Sequence, residues 1–220
     1  MIAALYVETD GAYFNLPGVD PWDRERDARS YAGPHVVVAH PPCERWGHFW
    51  YGGIMRHKNG TRFKKGDDGG CFAAAVAAVR RFGGVLEHPR NTSAWAHFGI
   101  ARPPVEGGWV RGDAHGWTCC VFQGSYGHLA LKPTWLYYVG PGVPPALKWG
   151  KPAGEFRPIS ARSFRSKADR DAAIAQGWEH TPRLSKKERA ATPTAFRDLL
   201  LGLARSAGPD EIAACIAELI

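Results

Sequence analysis

Apolar positions along the chain fall into short runs separated by Gly, Pro and charged residues. Residues 2–8 (IAALYVE) form a run of strand length, and 35–39 (HVVVA) form another that is apolar on both faces, as in a buried parallel strand. Between them lies a loop-rich stretch with a turn at GVDPWD. Phe72, Val76, Val79 and Phe82 recur on one helical stripe, which predicts a helix over 71–82 with Asp67 and Asp68 as its caps. Gly83-Gly84 then leads into VLE, a third strand. Strand, helix, strand in that order is the crossover unit of an α/β sheet.

Segments 117–123 (WTCCVFQ) and 134–139 (TWLYYV) predict two further strands, paired like a hairpin at the far edge of the sheet. Helices are expected near 166–176, over 194–206 after Thr192-Pro193, and in PDEIAACIAELI, where Ile212, Ile216 and Leu219 face inward. The stretch 140–182 is rich in Pro, Gly and basic residues and reads as a small irregular lobe. The expected division is therefore an α/β catalytic domain made of 1–139 and 183–220, with a lobe at 140–182.

Composition narrows this picture. A chain of 220 residues that is 45% apolar can bury one full core. No apolar run approaches the roughly 18 residues that cross a membrane, and MIAALYVETDG has no basic leader, so the expectation is a cytosolic protein without a membrane partner. Five cysteines, an odd number in no paired frame, suit a reducing compartment. The net charge is +7, with basic residues gathered at 56–65, 157–170 and 183–189. That distribution points to a polyanion as partner, and nothing in the sequence calls for a protein partner.

Chemistry enters at strand ends. HPPC follows the second predicted strand, EHP the third, and YGHLALKPTW precedes the last. The carboxyl ends of strands in an open α/β sheet form the ligand crevice, so Cys43, Glu87 and Lys132 are expected to converge there. A thiolate adds to carbon 6 of a pyrimidine and makes carbon 5 nucleophilic, while a carboxyl group holds the ring edge and a nearby cation offsets the charge. Arg45 and His48 would favour the thiolate.

VVVAHPPCERW resembles the strand and Pro-Cys turn of DNA cytosine-5 methyltransferases. GGVLEHPRNTSAW is similar to their Glu-Asn-Val or Glu-Asn-Pro segment, YGHLALKPTWLYYVG to the basic segment and strand that follow, and PRLSKKERAATPTAFRDLLLGLA to their late segments. The resemblance is to small bacteriophage-type members, and the four segments stand in the family's order. It implies a Rossmann-like methyltransferase sheet with helices on both faces, in reduced form, with the lobe in the place of a target-recognition region.

It further implies Cys43 as nucleophile, Glu87 on the edge of a flipped cytosine, Lys132 near the family's basic pair, and double-stranded DNA as substrate. S-adenosylmethionine is the implied methyl donor. Pro42 and Thr192 are its implied neighbours, with Gly11, the single glycine of YVETDGAYF, and Asp27 of RDARSY. The basic run after the nucleophile stands where the family has a mobile loop, so Arg45, Arg62, Lys64 and Lys65 are expected to hold phosphates.

Other readings stay open at this point. The same nucleophile would serve another carbon-5 reaction, on a nucleotide or with a different donor, and a non-catalytic DNA-binding relative would keep fold and charge. His40, Cys43 and His48 with Cys71 or Cys119-Cys120 match no zinc frame, so no metal is expected. Cys119 and Cys120 read as core. Trp46, Phe49, Trp50 and Tyr51 either stack on nucleic acid or fill the space left by a short N-terminal region.

Overall fold

The computed structural model describes residues 1–60, 62–159, 166–176 and 183–208. Seven strands form one sheet: β1 (Ile2–Leu5), β2 (Val19–Trp22), β3 (Val36–Ala39), β4 (Gly84–Pro89), β5 (Val110–Arg111), β6 (Trp117–Phe122) and β7 (Pro133–Val139). Their order is β2-β1-β3-β4-β7-β6-β5. The first four are parallel, β7 runs antiparallel to β4, and β6 and β5 continue antiparallel. The helices are α1 (Ile54–Lys58), α2 (Cys71–Phe82), α3 (Ala94–His97), α4 (Lys167–Ala175), α5 (Lys186–Ala190) and α6 (Thr194–Ser206). The fold is α/β, with a mixed sheet consistent with a Rossmann-like arrangement.

Strand alternation divides the core into two layers. Ala3, Leu5, Val37, Ala39 and Leu86 point to the side covered by α2, whose Phe72, Val76 and Val79 are buried. Ile2, Ala4, Val36, Val38 and Val85 point to the other side, against Phe196, Leu200, Leu203 and Ala204 of α6. Helices therefore cover both faces. Cys119 and Cys120 are both buried, one in each layer, as successive strand residues must be.

Several expectations change in detail. GVDPWD is an edge strand, β2, not a turn: Val19 to Trp22 pair in parallel with Ile2 to Leu5. Pro21 is tolerated because only one edge of β2 needs ladder donors. Helix α2 begins after Gly70, and the capping is done by Asp68, which accepts from the backbone N–H of Gly70 at 3.0 Å and of Phe72 at 2.9 Å. β7 lies inside the sheet, between β4 and β6, and the edge is β5. The expected helix with Ile212, Ile216 and Leu219 lies outside the described residues.

Gly84 makes the entry into β4 possible. Its φ is +123°, and a Cβ there would collide with the Val37 carbonyl of the neighbouring strand. Only glycine lets α2 turn so abruptly into a strand beside β3. The start of the expected lobe packs on the sheet: Trp149 and Leu147 lie against the α6 layer, and the Trp109 indole donates to the Pro145 carbonyl at 2.8 Å. Helix α4 has no buried residue.

Candidate active site

The strand order reverses direction around β1, whose neighbours are β2 on one side and β3 on the other. Ligands bind at such a switch point, outside the carboxyl ends of the strands. A cavity of about 720 Å³ opens there. After β1 its wall is Tyr6, Val7, Glu8, Ala12 and Tyr13; after β3 it is His40 to Cys43; at the end of β4 it is Glu87, Pro89 and Arg90. Because β7 is antiparallel, its beginning lies at the same edge and adds Lys132 and Pro133. Lys186, Arg189, Ala190 and Thr192 close the far wall.

The turn that carries Cys43 is pinned at both ends. The His40 N–H donates to the Leu5 carbonyl at 3.0 Å, and the Trp46 and Gly47 N–H groups both donate to the Cys43 carbonyl at 3.1 Å. Trp46 is buried, and its indole donates to Asp68 at 2.7 Å. The Trp46 carbonyl accepts from both the backbone N–H and the hydroxyl of Ser93 at 2.9 Å. Trp46 is thus a structural anchor, and it leaves Cys43 exposed toward the cavity.

Glu87 sits at the centre of a chain of hydrogen bonds. Tyr13 Oη lies 2.8 Å from His40 Nε2, and His40 Nδ1 lies 3.0 Å from Glu87 Oε2. On the other side Gln123 Nε2 donates to Glu87 Oε1 at 3.2 Å and to Thr134 Oγ1 at 3.0 Å. Burial alone would raise the Glu87 pKa, but the bond to His40 and the charges of His40 and Lys132 bring it below the usual carboxylate range. Glu87 is therefore ionised and accepts from both neighbours.

The other two groups are shifted toward neutrality. Crowding around the Cys43 thiol raises its pKa, the negative charges of Glu87 and Glu44 add to this, and Lys132 opposes it. Burial lowers the Lys132 pKa, against the pull of Glu87 and Cys43. Lys132 adopts a φ of +40° and its ammonium donates to the Ala191 carbonyl at 3.4 Å, which ties the β7 entry to the α5–α6 connection. Helix α5 is held by reciprocal Ser185–Glu188 bonds of 2.7 and 3.2 Å and by Arg157 on Glu188 at 2.8 Å.

Of the residues expected from sequence, Cys43, Glu87, Lys132, Pro42 and Thr192 line this one cavity. Gly11 does not line it but shapes its wall: a Cβ there would lie 2.7 Å from the Glu8 carbonyl oxygen, so a side chain would force open the turn after β1. Asp27 stands outside the lining, capping the short turn Ala28–Ser30 and pairing with Arg29 at 2.7 Å. The Arg45 guanidinium covers the Phe63 ring at 3.5 Å and donates through Nη1 to the Trp50 carbonyl at 3.0 Å, outside the cavity lining. Arg62, Lys64 and Lys65 are exposed, away from the cavity lining.

Sequence reasoning missed the contacts of Tyr13 and His40, and it named Lys186 and Arg189 only as part of the basic run 183–189, not as cavity wall. His40 had a visible signal, since it directly precedes the Pro-Pro-Cys turn; Tyr13 had none, because its meeting with His40 depends on the β1–β3 pairing. Among the described residues no group of three His, Cys, Asp or Glu side chains is placed to hold a metal ion, and no helix is long and apolar enough to cross a membrane. No family model, curated protein or solved structure matches this chain.

Proposed function

We propose that the protein is a DNA cytosine-5 methyltransferase-like enzyme that acts on a flipped pyrimidine through a covalent adduct at Cys43. The observation that carries this reading is the convergence of Cys43, Glu87 and Lys132, from three separate segments, on one cavity at the switch point of the sheet. In this reading Cys43 Sγ bonds carbon 6 of the ring, and the electron pair displaced from the carbon 5–carbon 6 double bond passes to the ring edge held by Glu87. Lys132 offsets the negative charge that develops. Carbon 5 then takes the transferred group, and loss of its proton with departure of Sγ restores the aromatic ring.

S-adenosylmethionine, when bound, supplies a methyl group for carbon 5. A cavity of about 720 Å³ has room for it beside a base. Tyr6, Val7, Glu8, Ala12 and Thr192, which line the cavity next to Cys43, are the residues that would hold it. The backbone of double-stranded DNA would meet the exposed Arg62, Lys64 and Lys65 and the cavity-wall cations Lys186 and Arg189.

A second reading, a carbon-5 enzyme that uses another one-carbon donor, draws on Gly11 being the single glycine in the turn after β1. One experiment separates these. Duplex DNA containing 5-fluorocytosine is incubated with the protein, with and without S-adenosylmethionine, and resolved under denaturing conditions. A covalent complex that needs the donor and is lost in Cys43→Ser supports methyl transfer. A Cys43-dependent complex indifferent to that donor favours the second reading, and binding without any adduct sinks both.

A further inference from the structure

We propose that the loop from His48 to Lys65, just beyond the Cys43 turn, is a stacking surface for an unpaired strand of DNA. This deepens the reading of the protein as a DNA-modifying enzyme, on which it rests, by naming the form in which the DNA reaches Cys43. The loop is tied at its base. Its two feet meet where the Gly66 N–H donates to the Arg45 carbonyl at 2.9 Å, and they close on the buried Trp46, whose ring would lie 2.9 Å from a Cβ on Gly66. Beyond Trp46, successive turns close from the Trp50 N–H to the Gly47 carbonyl at 3.2 Å and from the Gly52 N–H to the Phe49 carbonyl at 2.8 Å.

These turns present a ladder of rings. His48 meets Phe49 at 4.9 Å between ring centres, Phe49 meets Tyr51 at 6.3 Å, and Tyr51 meets Trp50 at 5.6 Å and His57 at 5.3 Å, each edge-on. Edge contacts hold a ring without covering its faces. Phe49 is 59% exposed, and among the described residues it is the one aromatic side chain in the exposed apolar set, the others being Met, Val, Leu and Ile. A lone exposed ring carries little meaning, but a contiguous group of rings rimmed by cations is a binding surface.

The charge around the rings is of one sign. From Arg45 to Gly66 the sequence holds Arg45, Arg56, Lys58, Arg62, Lys64 and Lys65 and no acid. Among the described residues none of these cations pairs with a carboxylate. Arg45 and Arg56 lie over the Phe63 ring at 3.5 and 5.6 Å, and Arg56, Lys58, Arg62, Lys64 and Lys65 are exposed. Cations draw in any polyanion, and rings choose among them. In a duplex every base face is covered by its neighbours, so only phosphates and groove edges are offered. An unpaired strand offers phosphates and open base faces together, and stacking on aromatic side chains adds affinity whatever the sequence. A pyrimidine bound for the Cys43 cavity must leave its stack in any case, and a base already unpaired gives up least.

The test is binding, read apart from chemistry. Fluorescence anisotropy of the unsubstituted chain is measured with a labelled pyrimidine-rich DNA strand, with the same strand in duplex, and with the RNA strand of that sequence, all without S-adenosylmethionine. The single DNA strand is expected to bind about 10-fold tighter than the duplex, or more. Phe49→Ala, at an exposed position, is expected to cost about 10-fold for the single strand and little for the duplex, and Phe49→Trp to keep or exceed the original affinity. Arg62→Gln, Lys64→Gln and Lys65→Gln together should weaken both forms and reduce the slope of log affinity against log salt by about 2 for the single strand.

Equal affinity for strand and duplex, or an F49A loss of the same size in both, overturns the proposal. Tighter binding of the RNA, or displacement of the DNA by vesicles rich in phosphatidylserine, overturns it in favour of another partner. A single-strand preference that F49A abolishes, found without any Cys43 adduct, sustains the surface and sinks the nucleophile. An adduct on duplex DNA without that preference does the reverse.

Discussion

His40 Nδ1 lies 3.0 Å from Glu87 Oε2, a bond that joins the ends of the neighbouring parallel strands β3 and β4. It makes Glu87 a fixed, ionised acceptor instead of a buried acid, and it couples the stability of the site to pH.

Replacing Glu87 tests that coupling. Its folded pKa is below that of an unfolded glutamate, so its contribution to stability is present above the ordinary carboxylate range and is lost as pH falls through the folded value. Urea unfolding of the protein should therefore weaken toward acid pH, and Glu87→Gln should show a shallower acid-side decline. The same variant is expected to lose on the order of 10²- to 10³-fold in adduct formation, as for removal of one fixed group at a developing charge.

Cys43 should be a slow nucleophile in the free protein. Crowding and the charges of Glu87 and Glu44 hold its thiol above the ordinary value, while Lys132 pulls the other way. Alkylation by iodoacetamide, followed by mass spectrometry of the Cys43 peptide, should accelerate only at alkaline pH. Lys132→Met should move that acceleration to still higher pH, and Glu87→Gln to lower pH. A Cys43 that labels at neutral pH faster than a free cysteine in solution would contradict the geometry.

The backbone makes an independent prediction at Gly84. Alanine there must place a Cβ against the Val37 carbonyl at a φ of +123°, so β3 and β4 cannot keep their register. A loss of about 4 kcal/mol or more, or failure to fold, is expected. Gly142 also has a positive φ, +69°, but nothing lies within 4 Å of its Cβ position. Gly142→Ala should cost about 1 kcal/mol, which thermal unfolding of the pair would resolve.

Much of the frame was legible because its signals are local. HVVVA, WTCCVFQ and TWLYYV are apolar over the length of a strand, and the stripe of α2 has helical period. From these, the rule about strand ends places Cys43 and Glu87 at one edge, and Lys132 joins them because β7 runs antiparallel to β4. VDPW was hidden because proline and aspartate disfavour strands, and its pairing comes entirely from β1. The Tyr13–His40–Glu87 chain was hidden for a related reason: its members meet through the register of β1, β3 and β4. The Arg45–Phe63 contact was hidden too, since nothing in the spacing of the two residues shows that the ring lies beneath the guanidinium.

His88 gives the sharpest dependence on pH. It follows Glu87 in β4 and points to the opposite face, where Phe72 meets it edge-on at 5.1 Å and Trp95 stacks at 6.2 Å between ring centres. The ring is buried and, among the described residues, neither nitrogen has a hydrogen-bond partner of good geometry, although the charge of Glu87 and the Pro42 backbone favour the protonated form. Burial dominates and lowers its pKa to about 4. The unfolded chain thus binds this proton near the ordinary histidine value of about 6.5, while the folded chain refuses it until about 4. Stability from this group is complete above the unfolded value and declines as pH falls between those two, by about 3 kcal/mol in all. His88→Phe keeps an aromatic ring between Phe72 and Trp95 and removes the titration, so its unfolding free energy should be flatter over that window. An equal slope in both proteins would place the dependence elsewhere, with Glu87 the next group to substitute.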